Sequence, residues 1–408
     1  MGSNCLVSTS IGCLFCWQGC NAEKLRNGFL FVPPAPSYTV EDQPSASSGA
    51  SREASPSSLG KIVYKLDGLS KYPGYKQAAE NADVRFLRTA HGERIPVVWL
   101  RRSGATSASA RSPPREQRTL VLLHCHGNAT DIGMMMGPYL EMSNQFGVEV
   151  VGVEYSGYGM SSGTPSTRKL HGDIEAAYNH VIASGVPPED IVAYGQSVGS
   201  GPVLSLASKR KLGGVVLHSP MLSGIKVIDP DPDKCCCRPS CCYRCFDFFP
   251  NDERIRSIGC PAFVIHGQQD DIIPFYHGQR LAEATPLKQR WPGYFPARAG
   301  HNDVVELDPR SYFGEVSAFL RSIADGDCGS PPCRGAAGGD AGGVARKPQQ
   351  VEMVVAPSVC GARTTAGDGL GGAAGGTLLE FSEPAAGPED GRYAQWRRGQ
   401  GKALGTEA

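Results

Sequence analysis

Five residues, Gly195-Gln196-Ser197-Val198-Gly199, constrain this chain more than any other stretch. An apolar, β-branched run through Ile191-Val192-Ala193-Tyr194 leads into them, and a helix-compatible segment follows from Pro202 to Lys211. The order is strand, sharp turn, helix, with a serine at the turn. The spacing has a steric reason: the serine must adopt a strained backbone conformation, and only small flanking residues let strand and helix approach closely enough. Its hydroxyl then stands above a sheet. The next backbone N–H, that of Val198, points from a helix N-terminus toward developing negative charge. Taken alone, the five residues would also fit a Gly-rich loop that merely turns the chain. The strand-to-helix setting favours a nucleophile.

The rest of the composition mainly excludes. Lys plus Arg equals Asp plus Glu at 40 each, so the whole chain offers no electrostatic case for nucleic acid. The 408 residues allow one large domain or two ordinary ones. Fifteen cysteines would suggest disulfides in a small secreted domain. Here they cluster, at Cys5, Cys13, Cys16 and Cys20 and again from Cys235 to Cys245. No basic segment precedes Cys5–Trp17, while Lys24 and Arg26 follow it, an order unsuited to a cleaved signal peptide. No uncharged apolar run reaches the roughly 18–20 residues of a spanning helix. The expectation is a cytosolic protein with reduced thiols.

Residues 1–40 place spaced cysteines among Leu14, Phe15, Trp17, Phe29 and Phe31. This pattern suits S-acylation on a membrane-surface segment, where aromatic residues dip into the interface and acyl chains supply the hold. Each chain contributes about 0.8 kcal/mol per buried methylene, so one holds marginally and several hold firmly. N-myristoylation at Gly2 is disfavoured by Leu6, which stands where the motif wants Ser or Thr. A zinc site is disfavoured because no histidine helps and only one C-x-x-C spacing occurs. Residues 41–60 read as a Ser/Ala/Pro/Gly linker.

Strands are expected at Val84–Leu87 and Ile95–Leu100, around a turn at His91-Gly92, then at Leu120–His124 and Val148–Tyr155. Helices are expected at Ile132–Phe146 and at Thr167–Ala183, where Leu170, Ile174, Ala177 and Val181 recur at 3–4 spacing. After the serine unit come strands Val215–Leu217 and Ala262–Ile265, with helices near Gly278–Ala284 and Ser311–Ile323. Uniformly apolar strands alternating with helices argue for an α/β fold, a doubly wound, mostly parallel sheet in one domain over 61–324. Two insertions, 103–118 and 231–245, interrupt it. Residues 325–408 are Gly/Ala-rich, with too little apolar surface to offset ordering, and read as a disordered tail.

A neutral serine needs a base, and the base an orienting acid. In α/β-hydrolases these follow in the order Ser, Asp or Glu, His. Asp270 closes the strand Ala262–Ile265, and His301 follows an extended run ending near Phe295. Asp271 is the neighbouring alternative. His218 and His266 sit on or at the ends of buried strands and read as packing or strand-end hydrogen-bonding residues; His124 and His126 precede the serine and break the order. Ser200 and Ser205 read as helix packing or capping residues. The second oxyanion donor should come from the loop His126-Gly127-Asn128-Ala129, with the N–H of Asn128 preferred and Ala129 next. The candidate site is therefore Ser197, Asp270 and His301, with Asn128 and Val198 as backbone donors.

These segments, together with Cys13-Leu14-Phe15-Cys16, Pro33-Pro34-Ala35-Pro36-Ser37-Tyr38, Tyr155-Ser156-Gly157-Tyr158-Gly159, Leu217-His218-Ser219-Pro220, Cys245-Phe246-Asp247-Phe248-Phe249 and Gly300-His301-Asn302-Asp303, occur in one order. Over about residues 13–324 the chain closely resembles the alpha/beta-hydrolase-domain-seventeen family of membrane-associated depalmitoylases. The resemblance implies a serine hydrolase that removes palmitate from cysteines of peripheral membrane proteins. It also implies anchoring through Cys5, Cys13, Cys16 and Cys20 at the cytoplasmic face of plasma or endosomal membranes. Acyl transfer through serine and then water calls for no cofactor and no metal. The cysteines from 235 to 242 depart from the pattern. They fit a second acylation patch, a Cys-only zinc site or an untethered loop. A lipid or small-ester carboxylesterase on the same triad, and an inactive membrane scaffold, are the competing functions.

Overall fold

The computed structural model describes Asn27 and residues 30–42, 60–65, 69–102, 119–227 and 247–326. The four N-terminal cysteines, Gly2, both insertions and residues 327–408 lie outside these.

A nine-stranded sheet organises the described residues. Its strands are β1 (Tyr38–Asp42), β2 (Gly60–Tyr64), β3 (Ala82–Arg88), β4 (Arg94–Leu100), β5 (Val121–Cys125), β6 (Glu149–Val153), β7 (Ile191–Gln196), β8 (Gly214–His218) and β9 (Ala262–Ile265). They lie side by side in the order β1-β2-β3-β4-β6-β5-β7-β8-β9. From β6 to β9 all pairings are parallel, and from β1 to β6 all are antiparallel. The parallel half carries the site.

The helices are α1 (Pro73–Asn81), α2 (Ile132–Phe146), α3 (Thr167–Ala183), α4 (Ser200–Ala207), α5 (Gly224–Val227), α6 (Asn251–Arg254), α7 (Tyr276–Ala284), α8 (Val304–Leu307) and α9 (Pro309–Asp325). None is long and apolar enough to cross a membrane. Strand β5 runs Val-Leu-Leu-His-Cys with every residue buried, because helices cover both faces of the sheet. Alternation sorts its side chains. Val121, Leu123 and Cys125 join one core cluster with Leu170 and Ile174 of α3 and with Val203 of α4. Leu122, Val150, Val192 and Phe263 are just as buried but lie outside that cluster.

Helix α2 shows how local sequence and packing cooperate. Asp131 caps it by accepting from the N–H of Met134 at 3.0 Å, and Gly147 ends it in the left-handed region at φ 67°. Pro138 has no N–H to offer the carbonyl of Met134. The hydroxyl of Tyr75 in α1 supplies the missing bond at 2.9 Å.

Two expectations need correction at the N-terminal side. Residues 30–42 belong to the fold rather than to a separate anchoring segment: Leu30, Phe31, Ser37 and Tyr38 are buried. The ends of the expected linker are strands, since β1 reaches Asp42 and pairs antiparallel with β2 from Gly60. The Pro-rich approach and the polar Glu41-Asp42 hid β1, whose stability comes from Tyr38 packing rather than from alternation. Helix α1 also went unread, because Tyr75 and Ala78 are its only buried residues.

Candidate active site

The sequence forces the elbow that carries Ser197. Between β7 and α4, one turn of 3-10 helix spans Ser197–Gly199. Ser197 takes φ 52°, the left-handed region, a conformation that costs a non-glycine residue and persists only when its surroundings impose it. Both flanking glycines are required by close approach. A Cβ on Gly195 would lie 2.6 Å from the carbonyl oxygen of Gly199. A Cβ on Gly199 would lie 2.3 Å from that of Cys125, at the end of β5. Ser200 donates to the carbonyl of Ser197 at 2.6 Å, fastening the turn from within, as a packing or capping serine should.

Two loops at the carboxyl ends of the sheet complete the site, where open α/β sheets place their ligands. The loop after β9 and the loop before α8 are laced together by backbone bonds, Gln269 N–H to the Ala299 carbonyl at 2.9 Å and Gln268 N–H to that of Pro296 at 3.1 Å. A Cβ on Gly267 would strike the Ala299 carbonyl at 2.2 Å, so the contact leaves no slack. Asp303 accepts from the N–H of Gly300 at 2.6 Å and folds the second loop back.

This lacing brings three of the expected residues into one line. His301 Nε2 lies 3.0 Å from Ser197 Oγ, and His301 Nδ1 lies 2.7 Å from Asp270 Oδ2. The carboxylate fixes the tautomer: Nδ1–H donates to Asp270, leaving Nε2 to accept from the serine. Asp270 Oδ1 accepts from the N–H groups of Ile272 at 3.0 Å and Ile273 at 2.7 Å. Burial alone would raise the Asp270 carboxyl, but hydrogen bonds from His266, His301 and the Ile273 N–H hold it well below the usual carboxylate range. Asp270 therefore stays ionised beside the imidazole. Asp271 is exposed and takes no part.

His266 makes the strand-end bonds expected of it, its Nε2 lying 2.8 Å from the Ile273 carbonyl and 3.1 Å from Asp270 Oδ2. That it shares the carboxylate with His301 was not foreseen. His218 bonds the Tyr194 hydroxyl at 2.7 Å, and His124 is fully buried, stacked on Tyr194.

The loop at the end of β5 lies against the elbow: the Cβ position of Gly127 is 3.8 Å from Gln196 Cδ. Asn128 and Val198 are both here, and their N–H groups donate in none of the turn or cap bonds among the described residues. Ala129 takes φ 52°. Beneath the loop is a buried carboxylate that the sequence reading missed. Glu154 receives the Tyr38 hydroxyl at 2.9 Å and the Ile132 N–H at 3.0 Å, and its other oxygen meets His126 Nε2 at 3.0 Å. Burial raises its carboxyl, against the opposing bond with His126. Its signal was a charged residue directly after the apolar run Val150-Val151-Gly152-Val153. Nearby, burial pushes the Asp173 carboxyl up to about 7 while it accepts the Ser156 N–H at 2.8 Å and hydroxyl at 2.7 Å. Among the described residues no three His, Cys, Asp or Glu side chains converge as metal ligands.

Comparison with known proteins adds identity to this geometry. A family model described as serine aminopeptidase, S33, matches residues 116–235. The alpha/beta hydrolase domain-containing protein 17C of Xenopus laevis is 34% identical over 71% of this chain and 88% of its own length. The human alpha/beta hydrolase domain-containing protein 17B is 33% identical over 74% of this chain and 92% of its own. The Pyrococcus furiosus esterase Pf2001 superposes with a TM-score of 0.46 at 18% identity, over 61% of this chain and 95% of that one. With a third of the aligned residues identical over most of the length of those relatives, the chain is an alpha/beta hydrolase and belongs to the alpha/beta hydrolase domain-containing protein 17 family.

Proposed function

We propose that the chain is a serine hydrolase that removes palmitate from S-acylated cysteines of membrane-associated proteins. The observation that carries the serine chemistry is the unbroken relay from Ser197 Oγ through His301 to Asp270, at 3.0 and 2.7 Å. His301 Nε2 takes the hydroxyl proton as Oγ attacks the thioester carbonyl, and Asp270 stabilises the imidazolium. The N–H groups of Val198 and Asn128 receive the resulting oxyanion. Collapse breaks the carbon–sulfur bond. The imidazolium returns its proton to the departing cysteine sulfur, and the palmitoyl group remains as an ester on Ser197. A water molecule, deprotonated by His301, attacks that ester, and a second collapse releases the fatty acid and restores the serine.

The choice of acyl thioester rests on the family resemblance and on the cysteine-bearing N-terminus. Acylated at Cys5, Cys13, Cys16 and Cys20, that segment would hold the enzyme peripherally on the cytoplasmic face of plasma or endosomal membranes. There it raises the effective concentration of substrate proteins bound to the same surface. The test compares turnover of a palmitoylated cysteine peptide and of a monoacylglycerol by the wild type and by Ser197→Ala. Thioester turnover that exceeds ester turnover and disappears in Ser197→Ala supports the proposal. Faster ester turnover makes the chain a carboxylesterase, and activity retained by Ser197→Ala removes the serine from its role.

A further inference from the structure

We infer that residues 30–38, which cross the front of the β5 loop, are a working part of the acyl-transfer site, with the side chain of Asn128 as a positioning residue that holds the oxyanion donor in place. The inference rests on the serine-hydrolase reading above and adds a role which that reading does not require.

A backbone N–H can be offered to an oxyanion by any residue, so an oxyanion role leaves the Asn128 carboxamide unexplained. The carboxamide nonetheless makes three hydrogen bonds. Its Nδ2 donates to the Leu30 carbonyl at 2.7 Å, while its Oδ1 accepts from the Val32 N–H at 3.0 Å and from the Tyr158 hydroxyl at 2.7 Å. Bonding the carbonyl of Leu30, which is helical, and the N–H of Val32 two residues further on, it acts as one more peptide group where the chain leaves that helix. That segment is fixed in turn, because Leu30 and Phe31 are buried in the main core cluster.

The same strap grips the far end of the loop. The Ser37 N–H donates to Asp131 Oδ2 at 2.7 Å, and the Ser37 hydroxyl donates to Oδ1, which also caps α2. The Tyr38 hydroxyl reaches Glu154, whose second oxygen meets His126 at the loop's start. The strap thus acts on the beginning, middle and end of the loop 126–131. The surfaces around it are cut to receive it. A Cβ on Gly133 would lie 2.3 Å from Ser37 Oγ, and one on Gly159 would lie 2.9 Å from Tyr38 Cε1.

The loop needs such support. Ala129 is held at φ 52° without glycine's freedom, and a strained turn keeps one geometry only where its surroundings over-determine it. An oxyanion donor that drifts by about 1 Å costs on the order of a hundredfold in rate. Because the negative charge is absent from the bound substrate and develops only on the way to the tetrahedral intermediate, a misplaced donor lowers kcat and leaves substrate affinity nearly unchanged.

The test uses the full-length chain and a p-nitrophenyl acyl ester, with Asn128→Ala and the milder Tyr158→Phe beside wild type and Ser197→Ala. Asn128→Ala is expected to lower kcat per folded molecule by about tenfold or more, with KM within about twofold and a lowered melting temperature, since three hydrogen-bond partners lose their mate. Tyr158→Phe, which deletes one bond of the three, should fall between it and wild type, and labelling by a fluorophosphonate should slow in the same order. Three results overturn the inference: wild-type kcat in both variants, a raised KM at unchanged kcat, or a loss fully accounted for by the fraction unfolded. If wild type and Ser197→Ala turn over the ester equally, the serine-hydrolase reading itself has failed. If only wild type is active and Asn128→Ala matches it, the strap alone has lost its role.

Discussion

His266 Nε2 lies 3.1 Å from Asp270 Oδ2, the same oxygen that His301 Nδ1 approaches at 2.7 Å. One carboxylate therefore orients the candidate base and is itself oriented by a second imidazole. The His266 ring is fully buried and packed against Gly278 of α7, where a Cβ would lie 2.5 Å from His266 Nδ1. The orientation of the relay is thus referred back to the core rather than to the loops that carry it.

The neighbouring acids should separate cleanly. Asp270→Asn keeps the shape but favours the wrong imidazole tautomer, and kcat should fall by about four orders of magnitude. Asp271→Asn alters an exposed side chain and should stay within about twofold of wild type. Ester or thioester turnover by the two purified variants decides the matter. Equal losses would mean that the carboxylates share the role.

His266→Leu should act through Asp270. Losing a hydrogen bond to an ionised group typically costs about 1.5–3 kcal/mol, read here by denaturant unfolding at neutral pH. The same change alters the acid response. Asp270 is depressed in the folded state, whereas in the unfolded chain an aspartate titrates near about 3.9. Its contribution is therefore complete above that value and is lost as pH falls through it toward the folded value. His266→Leu brings the folded value up toward the unfolded one, so stability should fall less steeply with acidification. An unchanged slope would separate His266 from Asp270.

Gly199→Ala tests the elbow. The added methyl meets the carbonyls of Cys125 and His126, both main chain, at 2.3 and 3.0 Å. Main-chain atoms at the end of a central strand cannot turn aside as a side chain can, and overpacking of this kind costs about 1–3 kcal/mol. The melting temperature should drop, and fluorophosphonate labelling of the fraction that stays folded should slow. Wild-type labelling would show that the elbow has room to spare.

Changing Cys5, Cys13, Cys16 and Cys20 together to Ser should move the protein from membranes to the soluble fraction, because stable anchoring takes more than one acyl chain. Esterase turnover in detergent should persist. Retention on membranes by the quadruple variant would defeat the acyl-anchor proposal.

The sequence by itself determined the strands and helices around the site and the order of their reactive groups, though not β1, β2 or α1. Ile191–Gly199 with its two glycines, Asp270 in the loop after β9 and His301 after the extended run are local patterns, each readable from strand period and turn chemistry within a dozen residues. Tertiary structure decided which distant polar groups meet. Ser37 and Asp131 are 94 positions apart, and Tyr38 and Glu154 are 116. Nothing in a Pro-rich stretch or at the end of an apolar strand announces such a partner. Hydrophobic periodicity follows from the geometry of a single element, whereas a buried hydrogen bond exists only once several elements have packed and excluded water. The relay could therefore be named from the chain alone. The shared carboxylate of Asp270, and the strap over Asn128, came into being only with the sheet.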